Sequence, residues 1–184
     1  MTLADFFARW RVRLGYILAV ILLLLASPTP QTIVLGGMIG LLGLVIRAYA
    51  AGFLHKQEIL TTTGPYAYTR NPLYFGSSFL AIGAAIAMHS WIGGVLLLVY
   101  FALIYSFVML REERELRVQH PLTFDAYAAS VPLFFPRPSK RNSTHSSRGS
   151  FSWTQYKKNH EYEAVFGFLL FLVALAVIWR VRTT

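Results

Sequence analysis

Five apolar runs separated by short polar joints constrain this chain more than any other feature, because they suit a bilayer and not water. They lie at about 14–26, 32–54, 73–88, 91–110 and 164–179. An apolar stretch of about 18 residues or more reads as a membrane-crossing helix. The first run is lengthened by Trp10 and Val12, and Pro28 and Pro30 stop it. No small-x-small cleavage pattern follows it, so it reads as a retained span rather than a signal peptide. The last run has 16 residues and reaches about 24 Å, against a hydrocarbon core of about 30 Å. Tyr162 and Trp179 extend it as interfacial anchors. The expected fold is all-α, a polytopic transmembrane bundle of four core spans plus a fifth at the C-terminus.

Composition narrows the function classes. Charged residues are 14% of the chain, where soluble domains carry about a quarter, which excludes a soluble enzyme and a disordered chain. With no cysteine, disulfide scaffolds, thiolate nucleophiles and iron–sulfur clusters are excluded too. The net charge of +9 is carried by residues flanking the apolar runs, so it points to anionic lipid rather than nucleic acid. The partner it implies is the bilayer itself.

Basic residues also set an expected orientation. Arg9, Arg11 and Arg13 precede the first span, Lys56 and Arg70 separate the second from the third, and many more follow the fourth. The joints 27–31 and 89–90 carry no Lys or Arg. The N-terminus, segment 55–72 and segment 111–162 are therefore expected on the cytoplasmic side. A spanning last run places the C-terminus opposite, with Arg180 and Arg182 against the charge rule. The other reading of that run is a re-entrant or interfacial helix.

Three units are expected: a core at 1–136, a basic flexible linker at 137–160, and a C-terminal membrane helix at 161–184. Within the core, Gly36-x3-Gly40 has the small-x3-small spacing that lets another helix approach closely. His89-Ser90 is too short for anything but an antiparallel hairpin of spans three and four.

Two polar segments flank that hairpin and meet at its cytoplasmic end. The first, His55 to Gly76, contains a Gly64-Pro65 turn signal and Asn71-Pro72, which reads as an N-cap with proline at the first helical position. Arg70 beside a helix N-terminus suits a carboxylate or phosphate. Read without that ligand, the same residues make a membrane-entry turn with interfacial tyrosines and a snorkelling arginine. The second segment, Arg111 to Pro136, continues span four as a helix until Pro121 and carries Glu112, Glu113 and Glu115 among arginines. Such a charge run is also what a solvated helix face looks like. Arg47 lies inside span two, where an arginine marks a substrate contact or snorkels to the surface. The five histidines show no metal-ligand spacing, and no metal is expected.

The stretch L-T-T-T-G-P-Y-A-Y-T-R-N-P-L-Y-F-G (Leu60 to Gly76), E-E-R-E-L (Glu112 to Leu116) and F-D-A-Y-A-A-S-V-P (Phe124 to Pro132), in this order around a helical hairpin, resemble the integral-membrane methyltransferases. That group includes isoprenylcysteine carboxyl methyltransferase and phosphatidylethanolamine N-methyltransferase. The resemblance covers about half the chain, from Gly43 to Pro136. It implies an enzyme that uses S-adenosylmethionine without a Rossmann domain, held in a cytoplasmic pocket between the two segments. The acceptor it implies is lipophilic, either a lipid head group or a prenylcysteine-like carboxylate entering from the bilayer. Carried over, Ile59, Leu60, Thr61, Gly64, Tyr66, Asn71, Pro72 and Tyr74 would line the cofactor and Glu112 would bind it. Arg70 and Glu113 would face the reacting centre. Arg47, singled out only as an intramembrane arginine, is a candidate acceptor contact together with Arg70. Two positions depart from the family. Asn71 stands where it has histidine in Arg-His-Pro, and Glu58 stands where the prenylcysteine enzyme has histidine. A lipid reductase using NADPH on a related helical core, and a non-catalytic membrane accessory protein, are the alternatives.

Overall fold

A computed structural model describes residues 3–55, 59–137 and 150–184, without the side chains of 3–9 and 11–12. Glu58 and half of the expected linker, residues 138–149, lie outside the described residues. The helices are α1 (Leu3–Leu25), α2 (Pro30–Phe53), α3 (Pro72–Ala87), α4 (Trp91–Gln119), α5 (Phe124–Ser130), α6 (Trp153–Lys158) and α7 (Tyr162–Thr183), with a 3-10 turn at Gly64–Ala67. No strand occurs among the described residues.

Local chemistry sets the joints. Pro30 does not only end the first helix; it occupies the first turn of α2, where its missing N–H costs nothing. Thr29 and Thr32 form a reciprocal cap there. The Thr32 N–H donates to Thr29 Oγ1 at 3.2 Å, and the Thr29 N–H donates to Thr32 Oγ1 at 3.0 Å. Ser90 caps α4 by accepting from the Gly93 N–H at 3.2 Å, and His89 takes a φ of 49° to reverse the chain. Asn71 departs from its expected role. It sits at the N-cap position of α3, but its side chain accepts no hydrogen bond from the helix.

Three helices, α2, α4 and α7, are long and apolar enough to cross a membrane, and Arg13–Leu25 and Pro72–Ala87 are shorter apolar helices. Outward-facing Leu24, Leu41, Trp91, Leu103 and Leu170 are exposed, as in a helical membrane bundle whose outer face meets lipid. The 22 residues of α7 extend about 33 Å, enough to span, because the helix runs on through the Trp179–Arg182 segment. The side chain of Arg182 donates to the Ala26 carbonyl at the end of α1. This contact gives the basic C-terminus a partner within the bundle.

The closest helix contact is between α2 and α3. A Cβ on Gly83 would lie 2.5 Å from the Gly36 carbonyl oxygen and 2.7 Å from the Gly40 nitrogen. The small-x3-small pair serves two neighbours, since Gly36 abuts α3 at Gly83 and Ala87 while Gly40 abuts the Phe168 ring of α7. At one end of the bundle Leu22, Ala26, Ala87, Met88 and Leu175 form a core. The Ser27 N–H closes it with a bond to the Met88 carbonyl at 2.9 Å.

The opposite end carries the polar segments. There the expected flexible linker, 137–160, is in part a packed strap. The Ser152 N–H donates to the Gly52 carbonyl at 2.9 Å, and the Asn159 side chain donates to the Ala51 and Leu54 carbonyls, both at 2.9 Å. These bonds add partners at the C-terminal end of α2, where, among the described residues, the Ala51 carbonyl otherwise accepts only the Leu54 N–H at 3.3 Å. Phe151 packs against Gly52 with its ring parallel to that of Tyr49.

Candidate active site

The site begins where α2 ends. Gly64 has a φ of +58°, and a Cβ there would lie 2.5 Å from the Phe53 ring; only glycine lets the 3-10 turn fold back onto α2. This seats Tyr66 in a buried cluster with Ala50 and Phe53, packed by Leu54, Leu73 and Phe151. Thr61, also buried, accepts from the His55 N–H at 3.2 Å.

Backbone bonds then lace this segment to the one after α4. The Arg70 N–H donates to the Pro132 carbonyl and the Arg137 N–H to the Tyr68 carbonyl, both at 2.9 Å. The Thr69 hydroxyl donates to the Phe134 carbonyl at 2.9 Å, and the Asn71 amide to the Leu133 carbonyl at 3.0 Å. The Tyr127 hydroxyl donates to the Tyr66 carbonyl at 2.8 Å. Short α5 makes this possible by burying Phe124, Tyr127 and Val131 against Leu60 and Leu116.

With the segments joined, α4 presents two successive glutamates to α3. The Tyr74 hydroxyl donates to Glu112 Oε1 at 2.6 Å, and Tyr74 packs edge-on to Tyr105 with ring centroids 5.2 Å apart. Arg70 Nη1 donates to Glu113 Oε1 at 2.6 Å, with both side chains under a fifth exposed, at 15% and 17%. Arg117 stands 3.8 Å from the same Glu113 oxygen and pairs with Asp125 at 2.8 Å. Glu115 instead pairs with Arg111 on an exposed face, as a solvated helix surface would.

Two buried polar atoms in this region have no hydrogen-bond partner, Tyr66 Oη and Arg70 Nε. Burial, and then the negative charge or partial charge of Tyr127, Glu161, Glu112 and Tyr74, raises the Tyr66 ionisation well above the ordinary tyrosine value. Its hydroxyl therefore stays a proton donor across the physiological range. Orphaned buried donors are costly unless something bonds them. A ligand with an ammonium or sulfonium, hydroxyls and a carboxylate would satisfy this set. The glutamates and tyrosine faces suit the cation, and Arg70 suits the carboxylate. The residues present fit S-adenosylmethionine.

The expected site residues fall into three groups. Tyr66, Tyr74, Glu112, Arg70 and Glu113 converge. Leu60, Thr61, Gly64, Asn71 and Pro72 frame them, with Leu60 in the α5 cluster and Pro72 buried at the start of α3. Ile59 is exposed. Arg47 does not join Arg70. Its Nε and Nη2 donate to the two carboxylate oxygens of Glu161 at 3.0 and 2.9 Å, and its Nη1 donates to Ser77 Oγ and, at 3.4 Å, to the Leu73 carbonyl. Sequence reasoning missed the roles of Thr69 and Tyr127. The only signal for Tyr127 was its place in the F-D-A-Y stretch.

The profile of the phospholipid methyltransferase family matches residues 14–120, which contain the second half of α1, all of α2–α4 and both glutamates. The cobalt-zinc-cadmium resistance protein CzcN of Cupriavidus metallidurans is 33% identical over 155 residues, covering 79% of this chain and 67% of the relative. The nickel-cobalt-cadmium resistance protein NccN of Alcaligenes xylosoxydans xylosoxydans is 36% identical over 106 residues, covering 56% and 49%. The chain thus spans about two thirds and about half of the lengths of these two relatives. No solved structure matches. Among the described residues no group of three or more His, Asp or Glu is placed to hold a metal ion. By the span of that profile match, the chain belongs to the phospholipid methyltransferase family.

Proposed function

We propose that this protein transfers a methyl group from S-adenosylmethionine to a lipophilic acceptor at the cytoplasmic membrane face. The observation that carries the reading is the paired contact of Tyr74 with Glu112 and Arg70 with Glu113, beside the partnerless Tyr66 hydroxyl. The sulfonium cofactor supplies an electrophilic methyl carbon whose bond to sulfur breaks as the bond to the acceptor forms, leaving a neutral thioether. Positioning and exclusion of water then do most of the catalytic work.

Glu112, oriented by Tyr74, binds the ammonium or the ribose hydroxyls. Tyr66 donates its hydroxyl to the same ligand. Arg70, held by Glu113 through one nitrogen, keeps the rest of its guanidinium for a carboxylate. A carboxylate acceptor needs only that cation to orient it. An amine acceptor must lose a proton, and Glu113 is the carboxylate placed to take it. The acceptor is a lipid head group or a prenylcysteine-like carboxylate that arrives from the bilayer. The metal-resistance names of CzcN and NccN suggest where the product matters, namely in a membrane exposed to toxic cations. Metal tolerance of a host carrying wild type or Glu112→Gln would test that context.

The deciding experiment is calorimetry of S-adenosylmethionine and S-adenosylhomocysteine on detergent-purified protein, with NADPH in parallel. Saturable binding of the sulfur compounds, lost in Arg70→Ala and Glu112→Ala while the fold survives, supports the reading. NADPH binding in their place moves the protein to the reductase class. Binding of neither, by folded protein, returns it to a non-catalytic role.

A further inference from the structure

The family match ends at residue 120, yet the chain after it returns to the site. Glu161, immediately before α7, is 7% exposed, although it is a carboxylate at the head of an apolar helix. Its fork-to-fork pairing with Arg47 fixes it against α2 and α3, because the same guanidinium holds Ser77 and the Leu73 carbonyl. Leu73 packs in the cluster of Tyr66, and so does Phe151 from the strap that precedes Glu161. Asn159, two residues earlier, is tied to the Ala51 and Leu54 carbonyls. The strap, the ion pair and Tyr66 thus share one packed layer.

We infer that Glu161 is a binding residue of the cofactor pocket. With Glu112 it receives the cationic part of the ligand, on the side of the site that holds the partnerless Tyr66 hydroxyl. The inference rests on the methyltransferase reading above and adds a residue from outside the matched family core. The electrostatics agree, since the Glu161 charge is among those that hold the Tyr66 proton in place. A buried ion pair is weak evidence of stabilisation, because its desolvation cost rivals its attraction. A role in binding gives the chain a reason to keep an acid here. Glu161 thus adds to the site from beyond residues 14–120, the span of the family match.

The test compares two probes on the full-length protein in detergent, S-adenosylmethionine and 5′-methylthioadenosine, which shares the adenosine but lacks both the sulfonium and the amino-acid group. Glu161→Gln removes the carboxylate charge and strands Arg47, so Arg47→Met/Glu161→Met is measured with it; apolar replacement of a whole buried pair is generally tolerated. In both variants S-adenosylmethionine is expected to bind about tenfold more weakly, with 5′-methylthioadenosine unchanged and the double variant melting near wild type. Equal loss for both probes would mean a deformed pocket and would overturn the inference. Unchanged affinity for both in the folded double variant would make Glu161 a structural partner only and would overturn it as well. Wild-type protein that binds neither probe overturns the cofactor reading itself, and this inference with it.

Discussion

The Tyr74 hydroxyl bonds Glu112 at 2.6 Å, and this contact joins the first turn of α3 to the part of α4 that continues past its apolar run. Tyr74 is thereby the residue that aims the glutamate. In Tyr74→Phe the ring stays packed on Tyr105 while the carboxylate loses the hydroxyl that donates to Oε1. Hydrogen bonds to charged groups contribute about 1.5–3 kcal/mol, so S-adenosylhomocysteine is expected to bind about tenfold more weakly, with a melting temperature close to wild type. Calorimetry and a thermal melt on the same sample check both.

Tyr66 predicts opposite movements of stability and affinity. Its hydroxyl is buried without a partner, so Tyr66→Phe removes a desolvation cost from the free protein and a donor from the bound one. The variant is expected to melt at or above wild type while binding the cofactor several-fold more weakly. The pH dependence follows from the raised ionisation. In the folded state the proton stays on above the ordinary tyrosine value of about 10, where the unfolded chain has released it. The folded state therefore binds more protons there. The stability this residue contributes is whole below pH about 10 and is lost as the pH climbs from there through the raised value. Denaturant midpoints from pH 8 to 11 should fall less in Tyr66→Phe than in wild type.

The helices were legible in the sequence because their cause is local: apolar runs of bilayer length, proline and threonine at the joints, glycines at a four-residue spacing. The meeting of segments 55–76 and 111–136 was legible because a two-residue turn leaves spans three and four no other arrangement. The partners of individual side chains were not. Asn71 carries every sequence mark of an N-cap, yet its amide finds the Leu133 carbonyl, since residues 131–134 lie across the start of α3 for reasons of tertiary packing. Arg47 and Glu161 are 114 positions apart, and nothing near either one announces the other. The strap at 150–160 read as linker because it continues from a Ser-, Arg-, Lys- and Pro-rich stretch, 137–152, whose composition is that of a solvated chain. What packs it is Phe151 and Asn159, two residues that satisfy the end of α2.

The glycine seam makes a sharper stability prediction. At Gly83 an added methyl group meets backbone atoms of Gly36 and Gly40, and backbone cannot rotate aside as a side chain can. Overpacking of this kind costs about 1–3 kcal/mol. Gly83→Ala is expected to lower the melting temperature clearly. Gly167, where a Cβ meets nothing within 4 Å, is the control. Gly167→Ala lies in α7 and is expected to be neutral or slightly stabilising, by up to about 1 kcal/mol from helix propensity. If the two alanine variants melt alike, close approach of α2 and α3 is not what holds the bundle.

Arg70 and Glu113 separate binding from turnover. Their contact is largely shielded, and Arg117 offers Glu113 a second, longer contact at 3.8 Å. A double-mutant cycle of Arg70→Lys and Glu113→Gln is therefore expected to show coupling, of about 0.5–3 kcal/mol in transition-state stabilisation. Lysine keeps the charge but has no planar fork, so it cannot offer Glu113 and a ligand carboxylate the fixed geometry that the guanidinium does. With the acceptor found, Arg70→Lys should lower kcat by tenfold or more and shift the cofactor Kd less than Glu112→Gln does. Should Arg70→Lys change only the cofactor Kd, the arginine belongs to the cofactor's carboxylate. The orientation of the acceptor would then fall to Glu113.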